Sequence, residues 1–453
     1  MKNKLWGGRF KKKIDPFMEK FTSSIACDKR LAEFDCLGSI AHAQMLGKCR
    51  IIPKKDSLKI VKGLGSILRQ IKNGSFKYSF KEEDIHTALQ NALYKKIGTV
   101  AEKLHTARSR NDQVVLDTRM YCKKNIDSIV FSVKTLKKAF LTLAKKNKDV
   151  IVPGFTHLQN AQPVLFSHQA LAYCQMFDRD VERLLDCKKR VDVLPLGSCA
   201  LSGTSLPIDR KYVAGKLGFA KVSQNSMDAV SDRDFVIELV FVLSLIAMHL
   251  SRISEDFIIW NSQSLGLLEI GDEFSTGSSM MPQKKNPDVL ELIRGKCGKL
   301  YGSLIEVLTM MKALPLTYNR DMQEDKPPLF SAVETIDESL EMLRLFLKGL
   351  TINKDRAKEL LKDEFLYATD IMEYLVKKGV SLKEAHDAVG RLVNYCCEND
   401  LKIQEISLRV LRSFNKKFNK NVYDLLDAKK SVKLKTSYGG TSPVQVKRKL
   451  KHA

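Results

Sequence analysis

The segment Gly277-Ser278-Ser279-Met280-Met281-Pro282-Gln283-Lys284-Lys285-Asn286-Pro287-Asp288 sets two hydroxyls, two ammonium groups and a carboxamide between glycine and proline hinges. Such a strip can fold over an anion and bring a hydroxyl to a reacting carbon, and loops of this composition carry function while a scaffold elsewhere carries stability. Three other polar stretches share the character. His105-Thr106-Ala107-Arg108-Ser109-Arg110-Asn111-Asp112-Gln113 precedes a long segment without helix breakers. It reads either as a carboxylate cradle at a helix N-terminus or as a cap made by Asn111 or Asp112. Thr156-His157-Leu158-Gln159-Asn160, bounded by Gly154 and Pro163, offers an imidazole between a hydroxyl and amides. A lone histidine is more often structural, yet this context raises the case for acid–base work, because imidazole titrates near neutrality and can serve either way. Tyr318-Asn319-Arg320-Asp321-Met322-Gln323-Glu324-Asp325-Lys326 would in isolation be a solvated loop. His249, inside an oily run, reads as core, and His86, in Glu82-Glu83-Asp84-Ile85-His86, is intermediate. Together these stretches suit a reaction in which a proton moves beside a carboxylate. The charge that develops on the carboxylate oxygens is what fixed ammonium and amide donors stabilise.

The elements that position these groups follow from glycine and proline. Neither occurs between Gly98 and Pro153, between Pro163 and Pro195, or between Gly218 and Gly266. Stretches of that length rich in Leu, Lys, Glu, Ala and Met predict long helices. In the second, Leu165, Leu171, Ala172, Met176, Phe177, Val181, Leu184 and Leu185 recur at three- and four-residue steps. A helix of about 30 residues spans about 45 Å, and such helices lie side by side in bundles. The third stretch is apolar almost all round from Phe235 to Ile246, so it must be buried on every side, and a homo-oligomer with this helix at its shared centre is expected. The N-terminal region reads as shorter helices broken at Pro53, Gly63, Gly65 and Gly74, and further short helices are predicted at Tyr367–Lys378 and Leu382–Glu398. The predicted fold class is therefore all-α, with domains at residues 1–110, 111–350 and 351–453.

Composition narrows the class. With 44% hydrophobic and 28% charged residues the chain can build a large soluble core. Its 76 basic and 52 acidic side chains leave +24, but the lysines are scattered rather than gathered beside stacking aromatics, which argues against a specific nucleic-acid surface. The excess reads as a solvated surface, and both ends, including the acid-free tail after Asp427, are candidates for disorder. Ten cysteines without a Cys-x-x-Cys pair predict reduced thiols and a cytoplasmic protein. The oily run Phe235 to Met248 falls short of the roughly 20 residues that span a bilayer, and no secretory h-region opens the chain. No metal-ligand spacing and no phosphate-binding glycine loop appears, so neither metal nor cofactor is expected.

The four stretches, in this order, resemble the argininosuccinate lyase family of the fumarase/aspartase superfamily, from Leu5-Trp6-Gly7-Gly8-Arg9-Phe10 to Gly439-Gly440-Thr441. The loop resembles the superfamily signature Gly-Ser-Ser-x-Met-Pro-x-Lys-x-Asn-Pro, and its Gln283-Lys284-Lys285 version points within the superfamily to this family. The resemblance implies a fumarase/aspartase-like long central bundle with smaller helical N- and C-terminal domains. It also implies a homotetramer whose active sites are shared by three subunits, with no membrane or nucleic-acid partner. The implied reaction is reversible elimination of argininosuccinate to arginine and fumarate without a cofactor. Carried over by motif, His157, Ser278 and Lys284 are catalytic, with Ser278 acting in proton transfer at the succinyl carbon. Lys284 and Asn286 stabilise the intermediate, and Ser24, Asn111, Thr156, Asn286, Tyr318, Gln323 and Lys326 bind substrate. Two places depart from the family pattern: Gln90 stands where glutamate is usual, and Ala101 where glycine is frequent. Another fumarate-releasing lyase, or a catalytically silent crystallin-like relative, are the alternatives.

Overall fold

The computed structural model describes residue 12 and residues 14–79 and 81–452; the Leu5–Phe10 motif lies outside them. The fold is all-α, with three small two-stranded sheets among the described residues. The helices used below are α1 (Ala32–Lys48), α2 (Lys54–Lys72), α3 (Ile85–Ile97), α4 (Arg110–Lys146), α5 (Phe166–Val191), α6 (Asp234–Asn261), α7 (Asp288–Met311), α8 (Lys326–Phe346), α9 (Ala368–Lys377), α10 (Leu382–Asn399) and α11 (Pro443–His452). The strands are β1 (Ile151–Thr156), β2 (Gln159–Leu165), β3 (Leu268–Ile270) and β4 (Leu350–Ile352). The chain forms two compact units. The first holds Met1–Phe131, Asp180–Ala247 and Lys296–Glu338, and the second Ser132–Arg179, Met248–Gly295 and Ser339–Ala453.

Three of the long helices, α4, α5 and α6, fall inside the breaker-free stretches. Helix α4 runs for 37 residues. Its buried positions Cys122, Ile126, Ile129, Val133, Leu136, Phe140 and Leu143 alternate steps of four and three, the seam of a helix packed lengthwise on its neighbours. In the first unit, Phe34, Tyr121 and Phe330 meet edge to face at centroid distances of 6.0 and 4.7 Å and tie α1, α4 and α8 together. In the second, Phe140, Tyr173, Phe177 and Phe257 form one aromatic cluster between α4, α5 and α6. Helices α9 and α10 enclose a separate core built on Ile371, Leu375, Leu392 and Phe418.

Several expectations change. Gly63 and Gly65 do not break a helix; both lie inside α2. At Gly63 a Cβ would sit 2.6 Å from Leu93 Cδ1, so glycine there serves the close approach of α3 rather than a turn. The apolar helix is 28 residues long, because the pattern continues through Leu250, Ile253, Phe257 and Trp260 past the run read from sequence. By length and composition it could cross a membrane, yet 61% of its most apolar window is buried by the chain itself, as in a core helix. Phe241, by contrast, is exposed. The basic C-terminus is helical: Val446 and Leu450 of α11 pack on Leu165 and Leu171. The segment around His157 is a β-hairpin rather than a plain loop, with Pro153 opposite Pro163 and a register shift at Gly154/Phe155.

The two departures from the family pattern meet in space. Gln90 is buried, and its Nε2 donates to the Ala101 carbonyl at 3.0 Å. A carboxylate there has no proton to give. Gln90→Glu is expected to lower unfolding free energy by about 1–3 kcal/mol in urea titrations; unchanged stability would remove this bond from the account.

Candidate active site

Five of the ten site residues expected from sequence line one cavity in the first unit. Ser24, Asn111, Tyr318, Gln323 and Lys326 surround about 240 Å³, together with Asp28, Glu83, Asp84, His86, Thr87, Arg110, Val114 and Arg320. Local bonding explains the gathering. Ser24 N donates to Glu83 O at 2.9 Å. Ser23 Oγ donates to the same carbonyl at 3.1 Å, and Ile85 N to Asp28 Oδ1 at 3.1 Å, so the 83–87 turn is laced to the 23–28 segment. Ser24 Oγ donates to Asp28 Oδ2 at 2.5 Å. Burial raises the Asp28 carboxyl, while His86 and the Ser24 bond oppose the rise.

Each cation facing the cavity is tied to a carboxylate. Arg110 Nε lies 3.1 Å from Asp84 Oδ2, and its other nitrogens donate to Thr87 Oγ1 and Gln113 Oε1, each at 3.2 Å. Arg320 donates to Glu83 Oε1 at 3.2 Å and to Thr22 O at 2.5 Å. Lys326 Nζ donates to Asp325 Oδ1 at 2.6 Å, and both residues are buried. The cavity presents guanidinium, ammonium, amide and phenol groups, of which the guanidinium and ammonium groups are held by carboxylates, an arrangement able to bind carboxylates bidentately or through point charge.

The segment Ser109–Gln113 does more than cap. Ser109 Oγ accepts from Asn111 N at 3.2 Å at the start of α4. Asp112, fully buried, accepts from Gly197 N at 2.9 Å and Cys199 N at 2.8 Å, stapling the 197–199 turn to the helix. Asn111 Nδ2 donates to Ala200 O at 3.0 Å. At the cavity wall, His86 Nδ1 is hydrogen-bonded to Asp35 and lies 3.5 Å from Asp117 Oδ2, both of which sit behind the lining. Asp35, His86 and Asp117 form a buried group with metal-ligand chemistry that no sequence spacing reveals, since its members come from α1, α3 and α4. Asp35 also accepts from Ser39 Oγ at 3.0 Å and Gln113 Nε2 at 2.8 Å, whereas neither Asp117 oxygen has a hydrogen-bond partner among the described residues. Burial raises Asp35, but His86, Arg108 and Arg110 outweigh it and hold the carboxyl down to about 2.

The remaining expected residues, Thr156, His157, Ser278, Lys284 and Asn286, belong to the second unit and line no part of that cavity. His157 and Leu158 are the central residues of the β1–β2 turn, with φ of 53° and 59°. Two-residue hairpin turns with both centres at positive φ normally use Asn and Gly. A histidine and a leucine there store backbone strain of the kind found at functional sites, and they hold the imidazole out from the sheet. The Gly277–Asp288 loop is pinned at its base by pairing of Thr276 with Asn286 and by Lys285, whose Nζ donates to Ile270 O at 3.1 Å and to Asp272 Oδ1 at 2.6 Å. At its tip, Ser278 Oγ accepts from Met281 N at 3.1 Å and Met280 N at 3.3 Å. Two N–H donors on a serine oxygen favour the alkoxide-like form that a proton acceptor needs. Lys284 is exposed and makes no ion pair among the described residues.

Residues 8–302 match the family described as Lyase, and residues 365–433 match the family described as Argininosuccinate lyase C-terminal. The chain is 51% identical to argininosuccinate lyase of Syntrophus aciditrophicus over 98% of its own length and 94% of the relative's. To the same enzyme of Pelotomaculum thermopropionicum it is 50% identical over 99% and 98%. The chain belongs to the argininosuccinate lyase family. Among solved structures it resembles EDDS lyase in complex with formate, at a TM-score of 0.85 and 25% identity, covering 97% of this chain and 89% of that one. It shares its fold with class II fumarase from Schistosoma mansoni, at a TM-score of 0.76 and 17% identity, covering 88% and 90%.

Asp28, Glu83, Asp84, Thr87 and Arg320 line the cavity although sequence reasoning gives none of them a role. The acidic run Glu82-Glu83-Asp84 is visible in the sequence, but not which members turn inward. Two further histidines lie close behind, near Arg108. Burial, and then the Arg108 charge, push His42 and His105 down to about 3. Both are therefore neutral in the fold and protonate near 6.5 once unfolded. The folded state binds fewer protons across that window, so their contribution to stability is full above pH 6.5 and is lost as pH falls towards 3. Denaturant titrations of His42→Gln at stepped pH are expected to show an acid slope shallower by up to about one proton; an unchanged slope would contradict a neutral buried His42.

Proposed function

We infer that the chain is an argininosuccinate lyase, a carbon–nitrogen lyase that reversibly eliminates argininosuccinate to L-arginine and fumarate, the last step of arginine biosynthesis. The observation that carries this reading is the cavity of the first unit. There, residues expected to bind substrate converge with cations held by carboxylates, in a chain about half identical to named argininosuccinate lyases over nearly its whole length.

In this reading Ser24, Asn111, Tyr318, Gln323 and Lys326 grip the substrate, with Arg110 as a further carboxylate ligand. Loss of a proton from the succinyl carbon pushes charge onto the adjacent carboxylate, and Lys284 and Asn286 stabilise that intermediate. Ser278 and His157 handle the two proton transfers, one at the carbon and one at the leaving guanidinium nitrogen. Thr156 stands beside His157 at the hairpin turn and orders the substrate there.

A homotetramer with sites shared between three subunits fits the exposed apolar side chains of the long helices. On α7, Leu292 is 64% exposed and Ile305 61%. Exposed apolar side chains on one long helix support this reading. All ten cysteines are free, which suits a reducing, cytoplasmic setting.

Fumarate absorbance should rise when the protein is given argininosuccinate, and not with adenylosuccinate or malate. Activity on either of those alone would overturn the assignment. Ser278→Ala is expected to cut turnover by about 10³-fold or more without changing assembly; near-normal turnover would remove Ser278 from the chemistry.

A further inference from the structure

Arg233, at the entry to α6, is 0% exposed and one of the largest fully buried side chains in the protein. Its Nε donates to Asp325 Oδ2, while the other oxygen of that carboxylate, Oδ1, accepts from Lys326 Nζ at 2.6 Å. Arg233 NH1 donates to Asp232 O at 2.8 Å, while NH2 is buried without a partner among the described residues. Asp232 is in turn gripped by Arg119, whose guanidinium lies 4.1 Å from the Phe235 ring centroid and donates to Arg190 O at 2.8 Å. The Arg233 guanidinium is thus fixed on one side by the Asp232 backbone carbonyl and on the other by the Asp325 carboxylate. Of the group, only Lys326 reaches the cavity.

Charge counting gives the arrangement a purpose. Burial raises Asp325, but Lys326 and Arg233 outweigh it and keep the carboxyl low, so it is ionised. Arginine stays protonated in proteins. Lys326 and Asp325 alone would be a neutral pair, with little pull on an incoming anion. Adding Arg233 gives two cations on one carboxylate, a net charge of about +1 in a buried setting where charge acts strongly. Interior ion pairs rarely add stability over apolar packing, and an orphaned NH2 is a further cost, so structural stability does not account for the group.

We propose that Arg233 is a positioning residue for substrate binding: by sharing Asp325 it offsets that carboxylate's charge and leaves the Lys326 ammonium able to hold a substrate carboxylate in the cavity. This rests on the cavity being the substrate site.

The test is steady-state kinetics on argininosuccinate with the full-length protein, with assembly and circular dichroism checked for every variant. Arg233→Gln leaves Asp325 and Lys326 as a neutral pair and should raise KM about tenfold or more with a much smaller change in kcat. Arg233→Gln combined with Asp325→Asn restores the single positive charge through Lys326 alone and should return KM to within a few-fold of the parent. A purely structural arginine would not be rescued by removing its partner's charge. A double variant with KM still raised about tenfold would overturn the proposal, including the case in which Arg233→Gln alone fails to fold. Lys326→Met serves as the control: an unchanged KM there would overturn the cavity as substrate site, whereas a raised KM in Lys326→Met with a normal KM in Arg233→Gln would overturn only the role of Arg233.

Discussion

Cations can be held beside a cavity inside a protein only if their charge is shared, and the first unit is built around that constraint. Arg110 leans on Asp84, Arg320 on Glu83, and Lys326 on an aspartate that a second, deeper arginine also holds. For the buried Lys326 an unpaired charge would cost several kcal/mol, so Asp325 is as necessary as the ammonium it holds, whereas Arg320 is exposed and its carboxylate mainly orients it. The sharing also fixes direction. A guanidinium bonded to Asp84, Thr87 and Gln113 has few rotamers left, and binding need not spend free energy on ordering it.

The scaffold that delivers these groups is made of long helices whose ends carry the polar segments. Segment Ser109–Gln113 opens α4, and Asp325-Lys326 opens α8. Putting chemistry at helix ends leaves the apolar seams along the helices free to pack, so the seam of α4 keeps its three–four rhythm without interruption by a functional side chain. The hairpin carrying His157 and the loop carrying Ser278 solve the opposite problem. They are short, strained or pinned at the base, with His157 and Lys284 exposed and Ser278 half-buried.

What can be read from the sequence follows from this division. Helix α4 is legible because the whole stretch between Gly98 and Pro153 passes without a breaker, and its periodicity is one-dimensional information. The cavity-lining residues are legible where they sit in dense polar runs. Gly63 misleads because a glycine that admits Leu93 and one that makes a turn are the same letter. The hairpin at Pro153 and Pro163 is hidden because two prolines facing each other in register resemble a loop until their pairing is seen. Arg233 gives no signal at all: it stands in an ordinary Ser-Asp-Arg-Asp run, and its partner lies 92 positions away. The same holds for Asp35, His86 and Asp117, which only the packing of three helices brings together.

The central proposal is that the shared-charge cavity of the first unit in one copy, and the hairpin and loop of the second unit in other copies, serve one substrate. A crystal structure of the Ser278→Ala variant with argininosuccinate bound tests it most directly. The account predicts a substrate carboxylate within hydrogen-bond distance of Lys326 Nζ. It also predicts the His157 imidazole and the substituted position 278, contributed by other copies of the chain, against the succinyl carbon and the leaving nitrogen. Substrate bound in order elsewhere, without contact to Lys326, would contradict it.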